Sequence, residues 1–134
     1  MRRLLATASA VLLSLALAAG AQGANPVKTQ IDLKLLAAAS DKLVAVGTLS
    51  AADERCVPDR RVEIYLRSGN KAPVHIDTAR TADRGGWMGF RKAKDLPKQQ
   101  YTEAVVVALK TKVKVSKRKE ITCGGKSRTY PLAG

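Results

Sequence analysis

Aromatic side chains are scarce in this 134-residue chain, which has one tryptophan, one phenylalanine and three tyrosines, with a single histidine and two cysteines. Each shortage excludes a class of chemistry. The lone histidine, His75, lies between Val74 and Ile76. To act as a base for Ser68 or Thr78 it would need an orienting acid and a nucleophile elbow, and neither pattern surrounds any serine. It reads as a solvent-facing strand residue. One histidine and two distant cysteines are too few for a structural zinc site. Asp77 and Asp83 lack the dense one-three-five spacing of a calcium loop and read as turn and surface groups. Gly85-Gly86 leads into a strand pattern, and Gly124-Gly125-Lys126-Ser127 lacks the earlier glycine and the helix that a phosphate loop requires. No catalytic residue, metal site or cofactor is expected, and a small hydrolase or enzyme inhibitor is the least supported class of function. The only rings besides His75 are Tyr65, Trp87, Phe90, Tyr101 and Tyr130. With Trp87 expected in the core, few remain to stack on bases, so no specific nucleic acid is expected as a partner.

Long apolar runs are also missing, except at the start. Met1-Arg2-Arg3 precedes an uncharged apolar stretch from Leu4 to Ala19, followed by Gly20-Ala21-Gln22-Gly23. A basic start, an apolar centre and small residues at the cut are the parts of a secretory signal peptide. The cut is placed after Ala21, with Gly23 as the alternative. A spanning helix takes about 20 predominantly apolar residues, and this run is shorter and rich in Ala, Ser and Thr, so cleavage is favoured over anchoring. The expected organisation is a signal peptide at 1–21, a short linker at 22–26 ending in Pro26, and one domain at 27–134. A remainder of about 113 residues is one domain, able to bury about two thirds of its unfolded surface. Export to the periplasm or beyond would let Cys56 and Cys123 persist as a disulfide; free thiols or an intermolecular bridge are the alternatives.

The domain carries turn signals at roughly ten-residue spacing. Val27, Thr29, Ile31, Leu33 and Leu35 alternate with Lys28, Gln30, Asp32 and Lys34, the period of a half-buried strand, although Leu35 to Ala39 are also good helix formers. A second strand is expected from Leu43 to Ser50, with Gly47 marking a bend or a close backbone approach. Val62, Ile64 and Leu66 define a third strand. Further strands are expected at Val74 to Thr81, around Trp87 to Phe90, from Tyr101 to Leu109 and around Ser127 to Leu132. This pattern predicts an all-β antiparallel β-sandwich of about seven strands, with a five-stranded barrel of the oligonucleotide-binding type as the alternative.

Between Val44 and Val107 the order of landmarks resembles the carboxypeptidase-regulatory-like, or prealbumin-like, family of secreted β-sandwich domains. The residues that carry the resemblance are Gly47-Thr48-Leu49, Pro58-Asp59-Arg60-Arg61-Val62-Glu63-Ile64, Thr81 followed by Gly85 and Trp87, and Tyr101. The Thr81 to Trp87 segment makes physical sense as a tight turn with a glycine at positive φ and an aromatic folded back onto the core. The resemblance implies an Ig-like or prealbumin-like sandwich acting as a non-catalytic module, and it carries over no functional residues.

What the chain has in excess is positive charge: 24 Lys plus Arg against 11 Asp plus Glu, a net +13. Loss of Arg2 and Arg3 with the leader would still leave +11. Such a charge favours anionic surfaces, which for an exported monomer means anionic envelope polymers or lipid head groups. The basic stretch holds Lys110, Lys112, Lys114, Lys117, Arg118 and Lys119 and reads as the tip of a hairpin. Lys110, Lys112 and Lys114, projecting from one strand face, would form a row of three lysines spaced about 6.6 to 6.8 Å apart, suited to a linear polyanion. The competing reading is a solvated edge whose lysines deter strand-to-strand aggregation.

The export reading predicts that the secreted protein has an intact mass starting at Gln22, with no thiol open to alkylation before reduction. An uncut N-terminus with two alkylated cysteines would overturn it.

Overall fold

The computed structural model describes residues 25–132. The signal peptide assigned to 1–21, its cut after Ala21, most of the linker and the last two residues of the chain lie outside the described residues. Among those described, no helix is long and apolar enough to cross a membrane.

Among the described residues nine strands, where about seven were expected, run in order: β1 (Thr29–Ala39), β2 (Lys42–Ala51), β3 (Arg61–Arg67), β4 (Val74–Arg80), β5 (Gly86–Lys92), β6 (Glu103–Ala108), β7 (Thr111–Ser116), β8 (Lys119–Cys123) and β9 (Lys126–Pro131). They form a three-stranded sheet in the order β1-β2-β5, a four-stranded sheet in the order β4-β3-β6-β9, and a separate β7-β8 ribbon. Every strand pairing is antiparallel. The all-β expectation holds. The stretch from Lys110 to Lys119 does more than form the tip of a hairpin, because β7 and β8 pair with each other as a ribbon separate from both sheets.

Alternation decides which face of each strand is buried. Val62, Ile64 and Leu66 of β3 and Ala104, Val106 and Ala108 of β6 pack with Ile31, Ala45, Leu49 and Trp87 of the other sheet in a single core between the sheets. The Leu35 to Ala39 segment is strand rather than helix, because its residues pair in register with β2, Ala37 opposite Val44. Tertiary pairing here overrides local helix propensity. A bulge between Leu33 and Leu35 corrects the simple alternation expected for this strand. It turns Leu36 onto the core and leaves Leu35 54% exposed.

Polar side chains join the two sheets at both edges. On one side the Leu33 N–H donates to Tyr130 Oη (3.0 Å), and that hydroxyl donates to Asp32 Oδ1 (3.2 Å). On the other, the Phe90 N–H donates to Asp77 Oδ2 (2.9 Å), and the Arg91 guanidinium donates to the His75 carbonyl. Asp77, expected to be a turn or surface group, is thus a β4 residue that caps a backbone donor of β5.

Gly47 and Trp87 face each other across β2 and β5. The indole is 3% exposed and lies against the glycine so closely that a Cβ there would collide with the ring and with the Asp32 carbonyl. Gly85, at φ 95°, supplies the left-handed turn that leads into this strand. The close approach expected at Gly47 is therefore a seat for the core's one large aromatic. Gly47→Ala should destabilise the fold by about 1–3 kcal/mol through overpacking, measured by urea denaturation. An unchanged midpoint would show that both the Trp87 ring and the β1 backbone at Asp32 are free to retreat.

Candidate functional site

The basic ribbon stands on a built base. At the end of β8, Cys123 is bonded to Cys56 of the 3-10 turn Glu54–Cys56 (Cα–Cα 5.5 Å), across 67 residues of sequence. Closing a loop of that length stabilises the fold by about 4 kcal/mol on the chain-entropy model. Val27 bridges to Cys123, with Val27 N–H donating to the Thr122 carbonyl and Gly124 N–H donating to the Val27 carbonyl, both at 2.8 Å.

Arg60 lies beneath these contacts and is 1% exposed. Its Nη2 donates to the carbonyls of Leu109 (2.9 Å) and Gly124 (2.8 Å), the residues just before and just after the ribbon's basic and disulfide-bonded stretch. Its Nη1 donates to the Cys56 carbonyl (2.8 Å) and the Thr29 hydroxyl (3.2 Å). Among the described residues no carboxylate pairs with it, and desolvation lowers its pKa from the usual arginine value. A guanidinium nevertheless stays protonated, and its rigid planar fork lets one side chain serve several carbonyls at once. The Arg60 backbone is fixed in turn, its N–H donating to Thr81 Oγ1 (2.7 Å) while the Thr81 hydroxyl donates to the Val57 carbonyl (2.6 Å).

Six cations project from this base. Lys112 and Lys114 share the exposed face of β7, and Val113 and Val115 turn the other way, with Val113 opposite Ile121 of β8. Lys117 and Arg118 form the turn and Lys119 opens β8, all exposed. The row of three lysines is corrected to two, since Lys110 precedes β7. Lys110 instead borders a shallow depression at the ribbon's foot with Arg61 and Arg80, and an adjoining depression gathers Arg55, Arg80 and Lys112.

The distribution of acids separates these two groups of cations. Arg55 holds Asp53 through two hydrogen bonds (2.7 and 3.0 Å), and this contact lowers the Asp53 pKa to about 2. Arg61 pairs with Glu63 (3.1 Å) and Arg80 with Asp59 (3.5 Å). Among the described residues, none of the six basic residues between 110 and 119 forms an ion pair. Glu120, opposite Lys114, is the only acid in the ribbon. The foot is therefore largely neutralised and the tip is not.

His75 and Thr78 do meet, with Nε2 3.1 Å from the threonine Oγ1, on the outer face of the four-stranded sheet. The same Nε2 lies 2.8 Å from Glu63 Oε1, which also accepts from the Thr78 hydroxyl (2.7 Å). A catalytic relay uses one ring nitrogen for the nucleophile and the other for the acid, whereas here a single nitrogen faces both. Burial raises the Glu63 pKa, but the hydrogen bonds from Thr78 and His75, helped by nearby positive charge, outweigh it and leave the carboxyl below its usual value. Among the described residues no cluster of His, Cys, Asp and Glu is arranged to hold a metal ion.

Sequence reasoning missed Arg60, although its signal was present. Arg60 has the same parity as Val62, Ile64 and Leu66, so extending the alternation back by one step turns it inward. Arg60→Met leaves three carbonyls and a hydroxyl without their donor and should cost about 3 kcal/mol or more, while Arg60→Lys should recover only part because an ammonium lacks the fork. Thermal unfolding tests this, and a methionine variant as stable as the parent would refute the anchoring role of Arg60.

Comparison of the chain with protein-family models, curated proteins and solved structures gives no match.

Proposed function

We propose that this chain is an exported, non-catalytic β-sandwich of the prealbumin-like or Ig-like kind that binds linear anionic polymers of the cell envelope through its basic ribbon. The observation that carries this reading is that, among the described residues, Lys110, Lys112, Lys114, Lys117, Arg118 and Lys119 form no ion pair, while Arg55, Arg61 and Arg80 nearby are paired with acids. Cations already paired with acids gain little from a second anion, whereas exposed unpaired ones gain charge-assisted contacts and release the polymer's counterions.

Four further features support the reading. The Cys56–Cys123 disulfide suits an oxidising compartment, and the Met1 to Ala21 segment reads as its export signal. The anchored base presents the cations on a preorganised element, which limits the side-chain and backbone entropy lost on binding. The shared ring nitrogen at His75 fits a structural cluster better than a catalytic one.

Retention of the secreted protein on a heparin resin is the test. Binding should be strong at low salt and collapse as the Debye length falls below about 10 Å. Replacing Lys112, Lys114 and Lys117 with alanine should weaken it about tenfold or more. Replacing Lys71, Lys94 and Lys98, exposed lysines outside the ribbon, makes the same change in net charge and should have a much smaller effect. Equal losses in the two triple variants would show that net charge, not the ribbon, holds the polymer.

A further inference from the structure

The outer face of the β1-β2-β5 sheet is apolar where an antiparallel sheet facing water is ordinarily polar. Register places Leu35, Val46 and Met88 in one row across the three strands and Ala37, Val44 and Phe90 in the next. Their neighbours along the chain, Ala45, Gly47 and Trp87 among them, face the core, so these rows point outward. Leu35 is 54%, Met88 63% and Phe90 49% exposed. Contiguous apolar patches of this kind, rimmed by polar groups, mark contact surfaces.

The margin of the patch is cationic. The next row pairs Lys42 with Lys92, and the Lys42 ammonium sits 4.9 Å from the centre of the Phe90 ring. Lys34, at the β1 bulge, is exposed beside Leu35. At the opposite end Asp32 is already paired with Arg128 (2.7 Å). The face is thus an apolar centre with lysines at its border, carried on a chain of formal charge +13.

We infer that this face docks on an anionic lipid bilayer, with Leu35, Met88 and Phe90 entering the boundary between head groups and acyl chains, and Lys42 and Lys92 at the phosphates. Long lysine stems can lie along apolar surface while their ammonium groups reach the head-group layer, and apolar insertion and attraction to anionic lipid reinforce each other. A second copy of the chain fits poorly as the occupant. A standard protein interface uses about 20–30 residues a side, whereas this patch offers six side chains, of which Ala37, Val44 and Val46 are already half-buried. Two such faces would also bring two strongly basic chains together. The inference stands on a different sheet face from the ribbon and does not depend on polymer binding.

The test is cosedimentation of the secreted protein with vesicles of phosphatidylcholine, with and without phosphatidylglycerol. Binding should require the anionic lipid and should fall about tenfold or more in a Met88→Ser, Phe90→Ser variant, whose heparin retention should match the parent. Both positions are exposed, and thermal unfolding checks that the fold is kept. A Lys42→Glu, Lys92→Glu variant, which leaves the apolar rows intact, should lose binding as well and serves if the serine variant does not fold. Vesicle binding that survives both variants overturns the inference. So does binding that disappears only on removal of Lys112, Lys114 and Lys117, which would assign the lipid to the ribbon. Self-association abolished by the serine variant, with vesicle binding unchanged, would overturn it in favour of a second copy.

Discussion

A buried cation with no counterion among the described residues is the constraint around which one end of this molecule is arranged. Burying an isolated charge is costly unless hydrogen bonds replace the water it loses. Arg60 meets that requirement with the carbonyls of Cys56, Leu109 and Gly124 and the hydroxyl of Thr29. Those acceptors come from four separate parts of the chain: the start of β1, the 3-10 turn after β2, the link from β6 to β7, and the turn from β8 to β9. Nη1 and Nη2 keep their acceptors only while all four converge, which makes their convergence a condition of the fold, and Nε is buried without a partner among the described residues. The disulfide joins two of the same parts covalently.

The two edges of the sandwich follow a related logic. An unpaired sheet edge exposes backbone donors and acceptors to other chains. Here Tyr130 takes a donor of β1 and Asp77 a donor of β5, so side chains of one sheet occupy edge positions of the other. Both residues sit on strands that their own sheet also leaves at an edge, β9 and β4. The arrangement blunts the edges and ties the layers together without a further strand.

Much of this was legible in the chain. Alternation at Val62, Ile64 and Leu66 marks β3 and the face it buries, the two cysteines announce their bond, and Gly47 signals a close approach. Three features were harder to read. The bulge at Lys34 moves Leu35 outward, and nothing in the local alternation of residues 27 to 35 marks where the register will shift. Arg60 was obscured by the rule that charge faces water, although parity pointed inward. The gathering of Arg61, Arg80 and Lys110 at one depression depends on strands distant in sequence and has no local signal. The β2 run Leu43-Val44-Ala45-Val46 reads as a strand, but an unbroken apolar run also implies a strand covered on both faces, and only one of its faces meets the core.

The ribbon's attachment also sets how it would carry a mechanical load. A polymer held at Lys117 and Arg118 and pulled away from the sandwich would draw on two legs of unlike character. The β8 leg ends at Cys123, where tension passes into a covalent bond to Cys56. The β7 leg ends near Leu109, whose carbonyl is held by Arg60 and whose N–H donates to the Arg61 carbonyl. Hydrogen bonds can break and re-form under strain while the sulfur linkage persists. The β7 leg, continuous with β6 through the backbone, can then give at its hydrogen-bonded base while the β8 leg stays cross-linked to Cys56, so the two legs yield unequally under load.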